Sequence, residues 1–274
     1  MISVRARKSL GQHFLADKSI LKRIAEAARL QVGDEVIEIG PGTGLLTTEL
    51  LKTPLQHLTA FEVDDRVVPE LAAQFAAEGE RFKVIEEDIL KTDLQRMAEV
   101  AGQKLRVVGN IPYYITSPIL FHLIDARSSV QDALMLVQLE VAERLAAKPR
   151  TKAYGIPTVL ANFFGEVEFL FKVRSGAFRP PPKVDSAVVR IDFTRPFFVR
   201  TGIAPPEGFN ERSFQSFIRG LFRMRRKTIR NNLKGLIEEP TLLRLTESEE
   251  EILGRRAEEL GIEELIGLFQ LTRG

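Results

Sequence analysis

The chain has 274 residues, 44% of them apolar, and a formal net charge of only +2, a length that suits one large domain or two ordinary ones with a sizeable core. It has no cysteine, and its three histidines (His13, His57, His122) stand at no metal-ligand spacing, which excludes disulfides, thiolate zinc sites and thiol nucleophiles and predicts no metal. No apolar run approaches the ~20 residues of a membrane span, and the first residues lack a secretory apolar core, so the expectation is a soluble cytoplasmic protein.

Residues 1–16 carry Arg5, Arg7 and Lys8 and no acid, a basic arm that runs into Gly11-Gln12-His13-Phe14-Leu15. Asp17 is placed to N-cap a helix whose apolar face is Ile20, Leu21, Ile24, Ala27 and Ala28. Residues 36–39 (VIEI) predict a strand, Gly40-Pro41-Gly42-Thr43-Gly44 follows directly, and a helix over 45–51 comes next. Strand, glycine loop and helix open a doubly wound sheet in which the backbone can approach a nucleotide closely, although a tight turn alone would read the same way. The spacing is G-x-G-x-G, with Leu45 where a dinucleotide fingerprint needs its third glycine or alanine, which argues against a nicotinamide enzyme.

Residues 58–64 predict a second strand with Glu62 near its exit, about twenty residues past the glycine loop, where a carboxylate can accept hydrogen bonds from ribose hydroxyls. A third strand over 82–85 is followed by Glu86, Glu87 and Asp88, one of which can take an adenine amino group; Glu86 and Glu87 read better as a solvated turn. A fourth strand over 105–108 ends in Gly109-Asn110-Ile111-Pro112-Tyr113-Tyr114. Pro112 cannot extend the strand and holds Ile111 extended, which frees the carbonyls of Asn110 and Ile111 to face a ligand. An amide oxygen, free carbonyls and a flat ring suit a planar base with an exocyclic amine, Tyr113 covering its face; a tight turn with half-buried tyrosines is the plainer reading of that motif in isolation. In series, the strands deliver Gly40, Glu62, Asp88 and Asn110 to the C-terminal edge of a parallel sheet, where ligands bind.

A fifth strand is predicted over 133–137 and a helix over 140–147, followed by the basic loop Lys148-Pro149-Arg150-Thr151-Lys152. Residues 163–173 and 184–193 are β-rich and predicted to pair antiparallel, joined by a segment that three prolines keep extended. Phe178 in that segment is either a hinge aromatic packed under the loop or a second ring face for the base. Residues 195–210 read as a Pro- and Gly-rich linker, and helices follow. Over 213–233 the apolar residues cover one side of a predicted helix, while Arg219, Arg223, Arg226 and Arg230 fall at steps of four, three and four on the other. Residues 212–237 hold eight basic side chains, Lys227 among them, and no acid, which favours phosphate contact over a merely solvated face. Thr246-Glu247-Ser248-Glu249 reads as a capping box opening a late helix. The expected organisation is an α/β domain over 1–195, a linker over 196–210 and a helical, phosphate-contacting domain over 211–274.

Together, G-Q-H-F-L, E-I-G-P-G-T-G, F-E-V-D, E-D-I-L, N-I-P-Y, F-R-P-P-P-K-V-D-S-A-V-V and F-R-M-R-R-K-T-I-R-N-N-L resemble the ribosomal RNA adenine N6,N6-dimethyltransferases, from Gly11 to about Leu268. The glycine loop is shared with many methyltransferases, and N-I-P-Y with the macrolide-resistance methylases of large-subunit rRNA. The proline-rich segment and R-R-K-T-I-R-N-N-L resemble the small-subunit enzymes. The resemblance implies a Rossmann-like class I methyltransferase sheet with a small all-helical C-terminal domain. It implies dimethylation, dependent on S-adenosylmethionine and on no metal, of two adjacent adenosines near the 3′ end of 16S rRNA. The setting is a maturing small subunit, with a role in assembly besides, and the protein acts as a monomer. By motif, His13 and Leu15 line the cofactor site, Gly40 and Gly42 meet the donor, Glu62 takes the ribose and Asp88 the adenine. Asn110 bridges cofactor and target, and Ile111, Pro112 and Tyr113 complete the catalytic turn. His13 stands where many relatives carry Asn, and Tyr114 where relatives often carry Asn, so Tyr114 receives no role. The rivals are a large-subunit resistance methylase and an RNA-binding assembly or transcription-type factor that keeps the fold without catalysis.

Overall fold

The computed structural model describes Arg7 and residues 12–273; the rest of the predicted basic arm, with Arg5 and Lys8, lies outside the described residues. The chain divides into two compact units, one of Met1–Ala142 with Gly165–Thr194, the other of Glu143–Phe164 with Arg195–Gly274.

The first unit runs β1 (Phe14–Leu15), α1 (Lys18–Ala28), β2 (Glu35–Ile39), α2 (Leu45–Leu50), β3 (His57–Glu62), α3 (Val68–Gln74), β4 (Phe82–Glu86), α4 (Leu94–Ala101), β5 (Leu105–Asn110), α5 (Thr116–Asp125) and β6 (Val130–Gln138). It resumes with β7 (Glu166–Val173), β8 (Phe178–Arg179) and β9 (Ser186–Asp192). Seven strands form one sheet in the order β4-β3-β2-β5-β6-β9-β7. The five from β4 to β6 are parallel, and β9 runs antiparallel to both β6 and β7. The order reverses between β2 and β5, the switch point at which a doubly wound sheet opens a crevice beyond its C-terminal edge. β1 and β8 pair separately, Phe14 opposite Arg179 and Leu15 opposite Phe178.

Asp17 caps α1 as expected, accepting hydrogen bonds from the backbone of Ser19 (2.9 Å) and Ile20 (3.2 Å). The other end of α1 is held by two arginines that no periodicity signals. Arg106 donates to the Ala28 carbonyl (2.8 Å), Asp34 (2.6 Å) and Asp132 (2.9 Å), and Arg190 donates to the Ala27 carbonyl. Cations at a helix C-terminus complement its dipole, and here they are paired with carboxylates where water is scarce. That network also explains why β6 begins at Val130, ahead of the predicted 133: Arg106 satisfies Asp132 inside the sheet. The strand predicted from 163 begins at Glu166 instead, after Gly165. A Cβ on Gly165 would lie 2.9 Å from the Asp192 carbonyl, so only glycine lets β7 start against β9.

After α6 (Leu139–Leu145), the second unit contains α7 (Ile156–Phe164), α8 (Phe197–Thr201), α9 (Glu211–Leu221), α10 (Ile229–Leu233), α11 (Glu239–Ser248), α12 (Glu250–Gly254) and α13 (Ile262–Leu271). Its core is aromatic: Phe163 packs on Phe214 at 4.6 Å between ring centroids and touches Phe197, Phe198 and Phe209, while Phe214 meets Phe269 at 5.5 Å. Residues 143–164, expected in the first domain, therefore pack in this unit. The expected linker is not open chain throughout, because α8 buries Phe197.

The predicted helix over 213–233 is two helices, and its arginine stripe is correspondingly not one helical face. α9 ends at Leu221 and α10 starts at Ile229. From α10 the buried Asn232 reaches back to the turn between them, where it accepts from the Met224 N–H (3.1 Å) and donates to the carbonyls of Met224 (3.2 Å) and Thr228 (3.3 Å). A side chain that takes up backbone groups in this way competes with helix continuation. Arg219 lies on α9, Arg223, Arg226 and Lys227 in the turn, and Arg230 on α10; all five are exposed. The expected capping box at 246–249 is also absent, since α11 begins earlier, with Pro240 in its first turn, and runs through Thr246. The carboxylate that caps a late helix is Glu264, which accepts from the Gly261 N–H at 2.8 Å at the start of α13.

Candidate active site

The exits of β2, β3, β4 and β5 line one cleft, open to solvent, within the first unit. Gly40, Gly42, Glu62, Asp88, Asn110, Ile111, Pro112 and Tyr113 all reach it, joined by Gln12, His13 and Phe14 from the segment before α1.

Gly42 has φ +53, and a Cβ there would sit 2.9 Å from the Phe14 ring, so the loop cannot carry a side chain at this point. Its N–H donates to Glu62 Oε2 at 3.1 Å, while Oε1 accepts from Val63 (2.9 Å) and Asp64 (3.0 Å). Glu62 is thus a fixed carboxylate, nearly buried, that ties the glycine loop to the end of β3. Burial pushes its pKa up, the three amides pull it back in part, and the net direction is upward. Asp88 is half-buried; Oδ1 accepts from the Leu90 N–H (3.0 Å) and Oδ2 takes no hydrogen bond among the described residues.

The Asn110 amide nitrogen donates to the His13 carbonyl at 3.1 Å, which fixes the orientation of the amide and leaves Oδ1 as a free acceptor. The Ile111 N–H is taken by the Leu136 carbonyl (3.1 Å), and its own carbonyl accepts no hydrogen bond among the described residues. Pro112 follows in an extended conformation, φ −57 and ψ 131, and Tyr113 opens a short 3-10 turn. The Tyr113 hydroxyl bonds Ser186 Oγ at 2.8 Å, and burial raises its pKa. One side of the Tyr113 ring is stacked by His13, centroids 5.8 Å apart, and His13 Nδ1 is 2.9 Å from the Pro180 carbonyl.

One expected site residue stands elsewhere and another at the edge of the site. Phe178 is fully buried because β8 pairs with β1 and turns its ring into the core, so it offers no face to a base; the hinge reading describes it. Leu15 is buried beside it, and meets only a small hollow shared with Phe14, Gly40 and Asn110 rather than the main cleft. The predicted phosphate contacts, Arg219, Arg223, Arg226, Lys227 and Arg230, belong to the other compact unit.

Further residues gain places in the site that spacing alone does not reveal. Gln12 donates to Asp64 at 3.1 Å, and the Arg66 guanidinium grips the same carboxylate (2.8 and 2.6 Å), which holds Asp64 down at about 2. Glu38, in the middle of β2, is wholly buried: Oε2 accepts from Thr47 Oγ1 at 2.7 Å and Oε1 has no partner. Burial, then the nearby Glu62, push its carboxyl up to about 8. The signal was a lone acid inside the apolar run VIEIG. Tyr114, 59% exposed, is a ring on the rim of the cleft.

The cleft therefore offers four hydrogen-bond acceptors: Glu62, Asp88, the Asn110 amide oxygen and the Ile111 carbonyl. It suits a ligand rich in hydroxyl and amino donors beside a second amine at Asn110.

A family model described as ribosomal RNA adenine dimethylase matches residues 3–266. Among curated proteins, the chain is 44% identical to the ribosomal RNA small subunit methyltransferase A of Chlorobium chlorochromatii over 270 residues, 98% of this chain and 95% of the relative. It is 43% identical to the protein of that name from Nitrosococcus oceani over 241 residues, 88% of each. Among solved structures, a dimethyladenosine transferase from Plasmodium falciparum is similar with TM-score 0.75 and 27% identity, over 93% of this chain and 96% of that one. The 23S rRNA methyltransferase ErmE is similar with TM-score 0.68 and 27% identity, over 95% and 100%. The fold is that of the Rossmann-like methyltransferases.

Proposed function

The chain belongs to the ribosomal RNA adenine dimethylase family, and on that premise we propose that it dimethylates N6 of two adjacent adenosines near the 3′ end of 16S rRNA in a maturing small subunit, with S-adenosylmethionine as donor. The observation that carries the reading is the pair of free acceptors, Asn110 Oδ1 and the Ile111 carbonyl, in the same cleft as Glu62. The donor, when bound, supplies a methyl group on a positively charged sulfur. Glu62 retains lone pairs for ribose hydroxyls, Asp88 Oδ2 accepts from the adenine amine of the cofactor, and the side-chain-free Gly40 and Gly42 admit it closely.

The N6 lone pair of adenine is delocalised into the ring, which makes the amine a poor nucleophile. Asn110 Oδ1 and the Ile111 carbonyl accept its two hydrogens, drawing the nitrogen toward a tetrahedral geometry as the methyl group is transferred. No strong base is needed, because the methylated amine is acidic and loses a proton readily to water. The same two acceptors fix the position and orientation of N6, and that proximity would supply the rest once the donor is bound. The extruded target base stacks on the side of Tyr113 that His13 leaves open, offsetting its unstacking by ~1–3 kcal/mol.

The first unit is then the catalytic part and the second the RNA-binding part, where Arg219, Arg223, Arg226, Lys227 and Arg230 neutralise phosphates. The protein is then expected to work as a monomer in the cytoplasm; separately, no described helix is long and apolar enough to cross a membrane. The test is transfer of labelled methyl groups to undermethylated small subunits and, separately, to free large-subunit RNA. Dimethyladenosine in the small subunit is expected; modification of large-subunit RNA alone would overturn the assignment. Asn110→Ala should lower turnover at least ~100-fold while RNA affinity stays near wild type, and retained turnover would remove Asn110 from the mechanism.

A further inference from the structure

The basic loop at residues 148–152 has no duty in the reading above, yet it is built as firmly as a binding element. All five residues, KPRTK, are exposed, and Lys148, Arg150 and Lys152 form no ion pair among the described residues. Arg150 has φ +69, a left-handed conformation that a residue with a side chain keeps only when its surroundings impose it. They do: its N–H donates to the Glu258 carbonyl at 2.8 Å, and Thr151 Oγ1 donates to the Lys148 carbonyl at 2.7 Å.

Arg225 supplies the other restraint. Its Nη2 donates to the carbonyls of Lys152 (2.8 Å) and Tyr154 (3.0 Å) and to Glu258 Oε2 (3.0 Å). In sequence Arg225 looks like one more cation of the run with Arg223, Arg226 and Lys227. In the structure its guanidinium is spent on the loop, while those three have no carboxylate partner among the described residues. The same contact brings the loop alongside the 222–228 turn, so Lys148, Arg150 and Lys152, of which Arg150 also acts on the Glu264 carboxylate from beyond ion-pair distance, flank Arg223, Arg226 and Lys227, all within the second unit.

We propose that residues 148–152 are a second phosphate-contacting element of the RNA surface, with Arg225 as the positioning residue that holds them rather than a phosphate ligand. Cations on a backbone held in place, and engaged in no ion pair among the described residues, suit a polyanion, because each contact releases condensed counterions and the loop loses little freedom on binding. The inference rests on the RNA reading of the second unit given above.

Binding to undermethylated small subunits over a salt series tests both parts. The triple variant Lys148→Ala, Arg150→Ala, Lys152→Ala should reduce the slope of log affinity against log salt by roughly 2–3, at ~0.7–0.9 per phosphate, and weaken binding at least ~10-fold near 0.15 M salt. An unchanged slope for that variant, beside a reduced slope for Arg223→Ala, Arg226→Ala, would overturn the loop proposal and leave the RNA reading standing. Unchanged slopes for both would remove the RNA reading of this unit as well. Arg225→Ala alone should lose most of what the triple variant loses, and added to the triple variant it should change nothing further. A further drop in slope of about one would make Arg225 itself a phosphate ligand. Thermal unfolding of each variant identifies one that fails to fold, and the triple variant, altered only at exposed side chains, still decides the loop.

Discussion

Glu38 gives the sharpest physical test of the site. It lies in β2 beneath the glycine loop, fully buried, with one oxygen bonded to Thr47 and the other unpartnered. Burial pushes its carboxyl from 4.5 to about 8. The folded chain therefore keeps this proton up to about pH 8, while the unfolded chain releases it near 4.5. The stabilisation is complete below 4.5 and is lost as pH rises through about 8, because unfolding releases a proton throughout that window. At ~1.36 kcal/mol per pH unit the decline has an upper bound of about 5 kcal/mol. Glu62 moves in the same direction and adds to it. Glu38→Gln keeps an acceptor for Thr47 and has no proton to lose. Urea midpoints followed by circular dichroism from pH 5 to 9 should show the two proteins within ~1 kcal/mol at pH 5 and the variant ahead by about 2–5 kcal/mol at pH 8.5. Taking variant minus wild type at each pH cancels the contribution of the second unit. A wild-type curve that does not decline, or a variant that declines equally, would mean that Glu38 is ionised in the fold and the account of its burial is wrong.

Three other substitutions probe separate parts. Gly42→Ala forces a side chain into φ +53 against the Phe14 ring; calorimetry should show donor affinity reduced more than ~10-fold, with ~1–2 kcal/mol of strain in the fold. Asn232→Leu orphans the Met224 N–H and the carbonyls it serves; thermal unfolding should reveal a loss of about 2–4 kcal/mol. Tyr114 is exposed enough for Tyr114→Ala to leave stability within ~0.5 kcal/mol. If its ring receives bases at the cleft mouth, KM for small subunits should rise ~5-fold or more, and an unchanged KM would mean it faces only water.

The contrast between what spacing reveals and what it hides follows from how each feature is decided. Strands of a parallel sheet are buried on both faces, so they read as continuous apolar runs, and their ends stand out as the first glycine or polar residue. Parallel connectivity then sends every such end to one edge, which is why Gly40, Glu62, Asp88 and Asn110 can be assembled before any packing is known. Phe178 is of the other kind. Whether its ring faces a cleft or the core depends on β8 meeting β1, a pairing with a distant segment. The helix over 213–233 fails for a related reason: no glycine or proline marks 222–228, and the break is imposed by the Asn232 amide folding back on Met224. Residues 143–164 likewise join the second unit through Phe163, whose partners lie beyond residue 195. The same rule separates Arg225 from its neighbours. Charge pattern places it among the phosphate ligands, and only a contact across some seventy residues, to the Lys152 and Tyr154 carbonyls, shows a guanidinium already committed to holding another part of the chain.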